Sequence, residues 1–218
     1  MTLLNKDDPL MRKVMPFFDF ENPPIDPIKL KEELIDRMFE EGGVGLAANQ
    51  IGYEYRAFVM KGANKEQSMF LVNPEIIKFS DETVVMEEGC LTGGCEGIFA
   101  NITRPEKVVC RWQDETGEVK ELEFGGMTAR CLQHELDHLN GILFIDYLSR
   151  LKLERAMKKK QKREKQYARI RKQFVQFARE HHSDNPKLSN EGTVSEADKL
   201  SLIHISEPTR PLYISYAV

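Results

Sequence analysis

Short β-rich segments enclosed between helical ones place this chain in the α+β class. Residues 56–124 hold five runs rich in β-branched and aromatic residues, separated by Asn, Asp, Gly and Pro. Before and after them, apolar residues recur at helical spacing. The length of 218 residues allows one well-packed core plus a tail.

The first helix opens at Asp26-Pro27, an N-cap followed by proline at the first helical position. Leu30, Leu34, Ile35 and Met38 mark its buried face, and Gly42-Gly43 stops it. Strands are expected at Ala57–Met60, 69–72, 83–86, 107–112 and 119–124, with Asp114-Glu115-Thr116-Gly117 as the hairpin turn between the last two. A second helix follows at about 127–139. Leu132, Leu136 and Leu139 line its flank away from the histidines, so it should lie buried in the concavity of the sheet, and Gly141 ends it. A long polar helix is expected over about 151–181, with a narrow apolar stripe at Ile170, Phe174 and Phe177. Residues 183–218 turn to Ser, Asn, Glu, Gly, Thr and Pro without periodicity, which predicts disorder. Residues 201–218 differ in character again, resemble translated vector sequence, and are set aside as non-native. No internal repeat is present.

Hydrophobic residues at 41% and charged residues at 30% are ordinary for a water-soluble fold. No stretch approaches the roughly eighteen apolar residues that span a bilayer, which excludes a membrane-spanning class. Residues 1–13 lack a signal-peptide core and the Arg-rich, acid-poor character of a transit segment, so a cytoplasmic location is expected. Four cysteines (Cys90, Cys95, Cys110, Cys131) are too few for a disulfide framework and read as free thiols or metal ligands. The net charge of −4 conceals an asymmetry: residues 150–180 hold 13 Lys and Arg against three Glu, leaving 18 basic and 32 acidic residues elsewhere.

The chemistry concentrates in His134-Glu135-Leu136-Asp137-His138. Histidines four apart share a helix face and can reach one metal ion, while Glu135 can take a proton from a metal-bound water. About one unrelated chain in a hundred carries such a pattern by accident, so the third ligand decides its meaning. A metzincin would need histidine where Phe144 stands, and Glu154, the thermolysin-like candidate, lies on a highly charged helix. Cys131, one turn before His134, reads as a small core residue. Cys90, directly after the strand at 83–86, can face a helix lying across the sheet, and is taken as the third ligand. A metallopeptidase of the H-E-x-x-H type, and a closed structural zinc module using Cys90, Cys95, His134 and His138, are the competing readings.

The run Gly42-Gly43-Val44-Gly45-Leu46-Ala47-Ala48-Asn49-Gln50 is too compact for a dinucleotide fingerprint and follows a helix rather than a strand. It reads either as a plain helix-to-strand connection or as backbone that approaches a ligand closely, with Gln50 offering an amide donor.

Three motifs in this order, G-x-G-x-A-A-x-Q at 43–50, E-G-C-L at 88–91 and H-E-x-D-H at 134–138, resemble those of the peptide deformylases. The similarity extends over about 8–169 and includes Leu71-Val72-Asn73-Pro74 and Asn140-Gly141-Ile142-Leu143-Phe144. Thr92 stands where the family usually has serine, and Gly93-Gly94-Cys95-Glu96-Gly97 lacks the proline and arginine common there and is slightly longer. That segment borders the peptide cleft in the family, so the departures bear on substrate contacts beyond the first residue.

The resemblance implies an α+β fold, with mixed and antiparallel sheets wrapped around a central metal-binding helix and a basic helix at the C-terminus. It implies a catalytic domain at 1–149, the basic helix at 150–182 and a tail at 183–218. Cys90, His134 and His138 would hold one Fe²⁺, with Zn²⁺, Ni²⁺ or Co²⁺ as substitutes. Glu135 would shuttle the proton, and the Gln50 side chain and Leu91 backbone N–H would stabilise the oxyanion. Gly43, Val44, Gly45, Met86, Glu88, Gly89 and Cys131 are the substrate-facing candidates. Val44, Met86 and Cys131 would wall the methionine pocket, with plain core packing the competing reading. Glu88 would order the loop carrying Cys90 or stand as an exposed loop acid, and Asp137 would lie behind the ligands or on the helix surface. The implied substrates are N-formylmethionyl nascent peptides, and the basic helix is the expected contact with the ribosome. No membrane and no specific DNA are expected among the partners.

Overall fold

The computed structural model describes residues 3–182, with side chains through Phe177. The tail at 183–218, expected to be disordered, lies outside the described residues. The chain divides after Ala156 into two compact units, the second beginning at Met157.

Helix α1, Pro27–Glu40, starts as the sequence dictates: the Asp26 carboxylate accepts a hydrogen bond from Ile28 N–H at 2.9 Å, and Pro27 needs no partner for an N–H it lacks. Leu30, Leu34, Ile35 and Met38 are its buried residues. Each fully buried side chain of this size contributes about 2 kcal/mol by area removed from water.

Strands β1 (Gly45–Ala47), β2 (Ala57–Met60), β3 (Met69–Phe79), β6 (Lys107–Gln113) and β7 (Val119–Gly125) form one sheet in the order β1-β2-β3-β6-β7, every pair antiparallel. Strands β4 (Thr83–Glu88) and β5 (Ala100–Pro105) form a separate antiparallel pair. Helix α2 spans Gly126–Leu139 and α3 spans Arg150–His182. Strand β2 is buried throughout because both its faces are covered. Phe58 and Met60 pack with Leu132, Leu136 and Leu139 of α2, whereas Ala57 and Val59 pack with Leu30, Leu34 and Met38 of α1.

Helix α2 ends in a tight reversal. Gly141 N–H donates to His138 C=O at 3.1 Å and Ile142 N–H to Asp137 C=O at 2.9 Å, which satisfies carbonyls the helix leaves open. Gly141 has φ 73°, and a Cβ there would sit 2.6 Å from the Arg12 carbonyl oxygen. No other residue type satisfies both constraints.

Two expectations need correction. The strand expected to end at Val72 runs to Phe79, through Asn73-Pro74. Asn73 takes φ 52° at a register shift between Val72 and Glu75, a bulge that spares Pro74 a ladder hydrogen bond. The Asn73 side chain accepts from Phe18 N–H at 2.7 Å and donates to Phe18 C=O at 2.9 Å, fixing the bulge. Strands β1 and β5 were not expected. Strand β1 is only three residues long, and β5 carries Asn101, Thr103 and Arg104 in place of an apolar run.

Candidate metal centre

Helix α2 brings His134 and His138 to one face, and the end of β4 delivers the third group. The ligand atoms of Cys90, His134 and His138 all lie within 4.8 Å of one another, and all three residues are buried. Cys90 Sγ is 3.3 Å from His138 Nε2. Among the described residues neither Cys95 nor Cys131 joins the cluster, so the closed four-ligand arrangement is not formed. Glu154 accepts from Arg150 Nε at 3.1 Å on α3, and Phe144 packs its ring 6.0 Å from that of His134. Neither reaches the cluster as a ligand.

The three nearby thiols are held in different states. Burial opposes ionisation of Cys90, but His138 above all, and His134, hold its thiol well below the ordinary value through charge and hydrogen bonding. Burial pushes the thiols of Cys131 and Cys95 up instead, so both stay protonated. Only Cys90 is electrostatically prepared to be a thiolate donor.

His134 is oriented from behind. Glu88 can only accept, so His134 Nδ1–H donates to Glu88 Oε2 at 3.0 Å, which leaves Nε2 for the cluster. Glu88 Oε1 also accepts from Arg104 Nε at 2.7 Å and from Arg130 Nη1 at 2.8 Å. The reading of Glu88 as an exposed loop acid is therefore corrected: it is the last residue of β4, with 0% exposure. Burial works against its charge, yet His134 and Arg104 hold the carboxyl well below the usual carboxylate range. Its other oxygen, Oε2, also accepts from Arg104 Nη2 at 3.0 Å. Asp137, on the same helix, accepts from Arg104 Nη1 at 2.6 Å and from Tyr147 O–H at 3.0 Å.

Gln50 is fixed in orientation. Its Oε1 accepts from Ala47 N–H at 2.7 Å, so Nε2 must point the other way, 3.2 Å from Thr92 Oγ1 and 4.0 Å from Cys90 Sγ. Thr92, the departure from serine, keeps a hydroxyl 3.3 Å from Cys90 Sγ, and its N–H donates to that sulfur at 3.4 Å.

Glu135 is 3% exposed, and burial, the largest influence, raises its carboxyl from 4.5 to about 7, with His134 and His138 pulling it down. Its Oε2 has no hydrogen-bond partner among the described residues. Gly45 makes room for it, since a Cβ there would lie 2.5 Å from Glu135 Oε1 and 2.7 Å from Cys131 Sγ. Val44 offers its carbonyl to the Cys131 thiol at 3.4 Å. Gly43 passes close to the Leu91 side chain, and Gly89 packs on the Phe99 ring. Met86 stands apart from these: it is half-buried, pairs across to Ile102, and packs against none of the buried apolar clusters described.

Sequence reasoning missed Arg104 and Arg130. Their signal is available only in three dimensions, because each lies far in sequence from the Glu88 it contacts.

The donor set fits a divalent ion. One thiolate and two imidazoles suit Fe²⁺ or Zn²⁺. An unpartnered buried carboxylate oxygen, within electrostatic reach of all three donors, adds an acceptor beside them.

Comparison with known proteins agrees with this geometry. Residues 2–154 match the family model described as polypeptide deformylase. A peptide deformylase of Bartonella henselae is 38% identical over 162 residues, 73% of this chain and 90% of the relative. One from Chromobacterium violaceum is 43% identical over 136 residues, 62% of this chain and 80% of the relative. The crystal structure of a peptide deformylase from Legionella pneumophila superposes with a TM-score of 0.67 at 36% identity, covering 77% of this chain and 97% of that one.

Proposed function

The chain belongs to the peptide deformylase family, and from that membership we infer how its residues share the hydrolysis of the formyl amide on N-formylmethionyl peptides, with formate as product. The observation that carries the reading is the buried convergence of Cys90, His134 and His138 beside Glu135. Those three donors would hold a divalent ion, which when bound would supply Lewis acidity and acidify the attacking water. We assign it as Fe²⁺, with Zn²⁺, Ni²⁺ or Co²⁺ as substitutes.

Glu135 takes the proton from the attacking water and later gives it to the leaving amine. Burial, which raises its carboxyl, favours its holding the proton between the two halves of that exchange. Gln50 Nε2, held outward by the Ala47 N–H on its other end, donates to the oxyanion as the tetrahedral carbon forms, together with the Leu91 N–H. Preset donors of this kind cost no reorientation during the reaction. Gly43, Val44, Gly45, Gly89 and Cys131 border the substrate, and Met86 lies at its rim. Gly45 brings backbone up to Glu135, and Val44 with Cys131 offers apolar wall for the methionine side chain.

The catalytic part is assigned to 1–149, extended by the first turns of α3, because Leu153 and Ala156 pack with Leu143, Phe144 and Cys90. Beyond it, residues 150–180 carry ten more positive than negative charges. We assign this helix to phosphate-backbone contacts on the ribosome, where the substrate emerges, with the solvated helix as the plain alternative. Among the described residues no helix is long and apolar enough to cross a membrane. We infer a cytoplasmic site of action from the substrate.

The reading is tested with a paired substrate. A formyl-Met peptide should yield formate, and its unformylated counterpart should remain intact. Cleavage of internal peptide bonds in the unformylated peptide would instead indicate a metallopeptidase.

A further inference from the structure

Helix α2 presents two faces, and only one is apolar. Arg130, Gln133, His134 and Asp137 follow the i, i+3, i+4, i+7 spacing of a single stripe. Arg130, Gln133 and His134 are buried, with exposures of 1%, 5% and 4%. Every one of the four is bonded to β4 or β5. Arg130 Nη1 donates to Glu88 Oε1 at 2.8 Å and Ile102 C=O at 3.0 Å, and its Nη2 donates to Val84 C=O at 2.7 Å. Gln133 Nε2 donates to Pro105 C=O at 3.0 Å, His134 to Glu88, and Asp137 accepts from Arg104.

This polar seam matters because of the topology. Among the described residues, strands β4 and β5 pair only with each other, so no ladder hydrogen bond ties them to the five-stranded sheet on which α2 lies. Yet β4 leads directly into Cys90, while α2 carries His134 and His138. The distance between the thiolate and the two imidazoles thus depends on how the β4–β5 pair docks on α2, alongside the short links that join the pair to β3 and β6. Arg130 is the group in that docking which grips both strands and the Glu88 carboxylate at once. A guanidinium is the side chain suited to it, since its fork reaches three separated acceptors while remaining planar.

We propose that Arg130 is a positioning residue of the metal centre. Its fork fixes the β4–β5 pair against α2, which holds Glu88 on His134 Nδ1 and sets the spacing of Cys90 from the two imidazoles. The role rests on the assignment of Cys90, His134 and His138 as the ligands.

The test uses the full-length protein with Co²⁺ and Zn²⁺ as probes, in wild type, Arg130→Lys and Arg130→Gln. Lysine keeps the charge and loses the fork; glutamine keeps an amide donor and loses the charge. Thermal unfolding and circular dichroism first establish that each variant folds. Folded variants should bind metal 10–100-fold more weakly, as loss of a partner behind the ligands typically does. The sulfur-to-cobalt charge-transfer band should shift, and kcat should fall with KM little changed. A merely structural arginine would lower the melting temperature while leaving metal affinity and the cobalt spectrum of the folded protein unchanged, and that result overturns the proposal. Wild type alone supplies a further readout independent of variant folding. The guanidinium proton resonances of Arg130, slowed by three buried acceptors, should shift on addition of Zn²⁺, and resonances unmoved by Zn²⁺ would refute the coupling. If wild type itself binds neither ion through a cysteine sulfur, the ligand assignment fails, which is a distinct outcome.

Discussion

Glu135→Gln separates proton transfer from everything else position 135 contributes, because the amide keeps the size of the side chain and cannot accept a proton at neutral pH. Turnover should fall roughly 10²–10⁴-fold, the usual worth of a positioned general base, while metal content stays the same. The same substitution has a thermodynamic signature in the metal-free protein. Burial lifts the Glu135 carboxyl from 4.5 to about 7, so the folded chain binds a proton that the unfolded chain has released. The stability this contributes is fully present below the unfolded value and is lost as pH rises through the folded one. From those two values, wild type should be about 2 kcal/mol less stable near pH 8.5 than near pH 5.5 through this group, out of a full difference of about 3 kcal/mol. Urea titrations of chelator-treated wild type and variant at both pH values measure it, and the difference between the two proteins should change with pH by that amount. A variant retaining more than a tenth of wild-type kcat, or a stability difference independent of pH, would refute the reasoning.

Cys90→Ser should weaken metal retention or change which metal is kept, since a neutral hydroxyl is a far poorer ligand than a thiolate; full occupancy with an unchanged sulfur-to-metal absorption band would point to another cysteine. With iron bound, activity should decay in air and persist under anaerobic conditions or after nickel or cobalt substitution, whereas an air-stable, fully active iron form would contradict the assignment. Truncation after Ala156, which retains Leu153 and Ala156 in their buried cluster, should spare hydrolysis of a short formyl-Met peptide and lower ribosome co-sedimentation at low salt. Equal co-sedimentation of the two lengths would leave α3 as an ordinary solvated helix.

The elements legible in the sequence are those whose residues carry local instructions. Asp26-Pro27 and the Leu30, Leu34, Ile35, Met38 stripe specify α1 without reference to anything distant, and Gly141 marks the end of α2 by its backbone alone. The cluster was legible for the same reason in part, since His134 and His138 share a helix face and the E-G-C-L run follows a strand. What remained hidden depends on partners far along the chain. The Asn73-Pro74 pair reads as a strand terminator until Phe18 is seen bonding the Asn73 side chain at a bulge. Strand β5 has no apolar run because Arg104 points into a buried ion cluster with Glu88 and Asp137. Arg130 would be placed on a solvated face by its type, yet it is 1% exposed. A buried arginine follows from its acceptors, and those lie on other elements.

The central claim is that one metal ion held by Cys90, His134 and His138 drives formyl-amide hydrolysis. Anaerobic titration of the metal-free protein with Fe²⁺, following formate release from a formyl-Met peptide and bound iron in the same samples, tests it most directly. Activity should rise in proportion to bound iron and level off at about one ion per chain, the count that a single three-donor cluster allows. Formate release at full rate without metal, or none at any loading, would contradict the account.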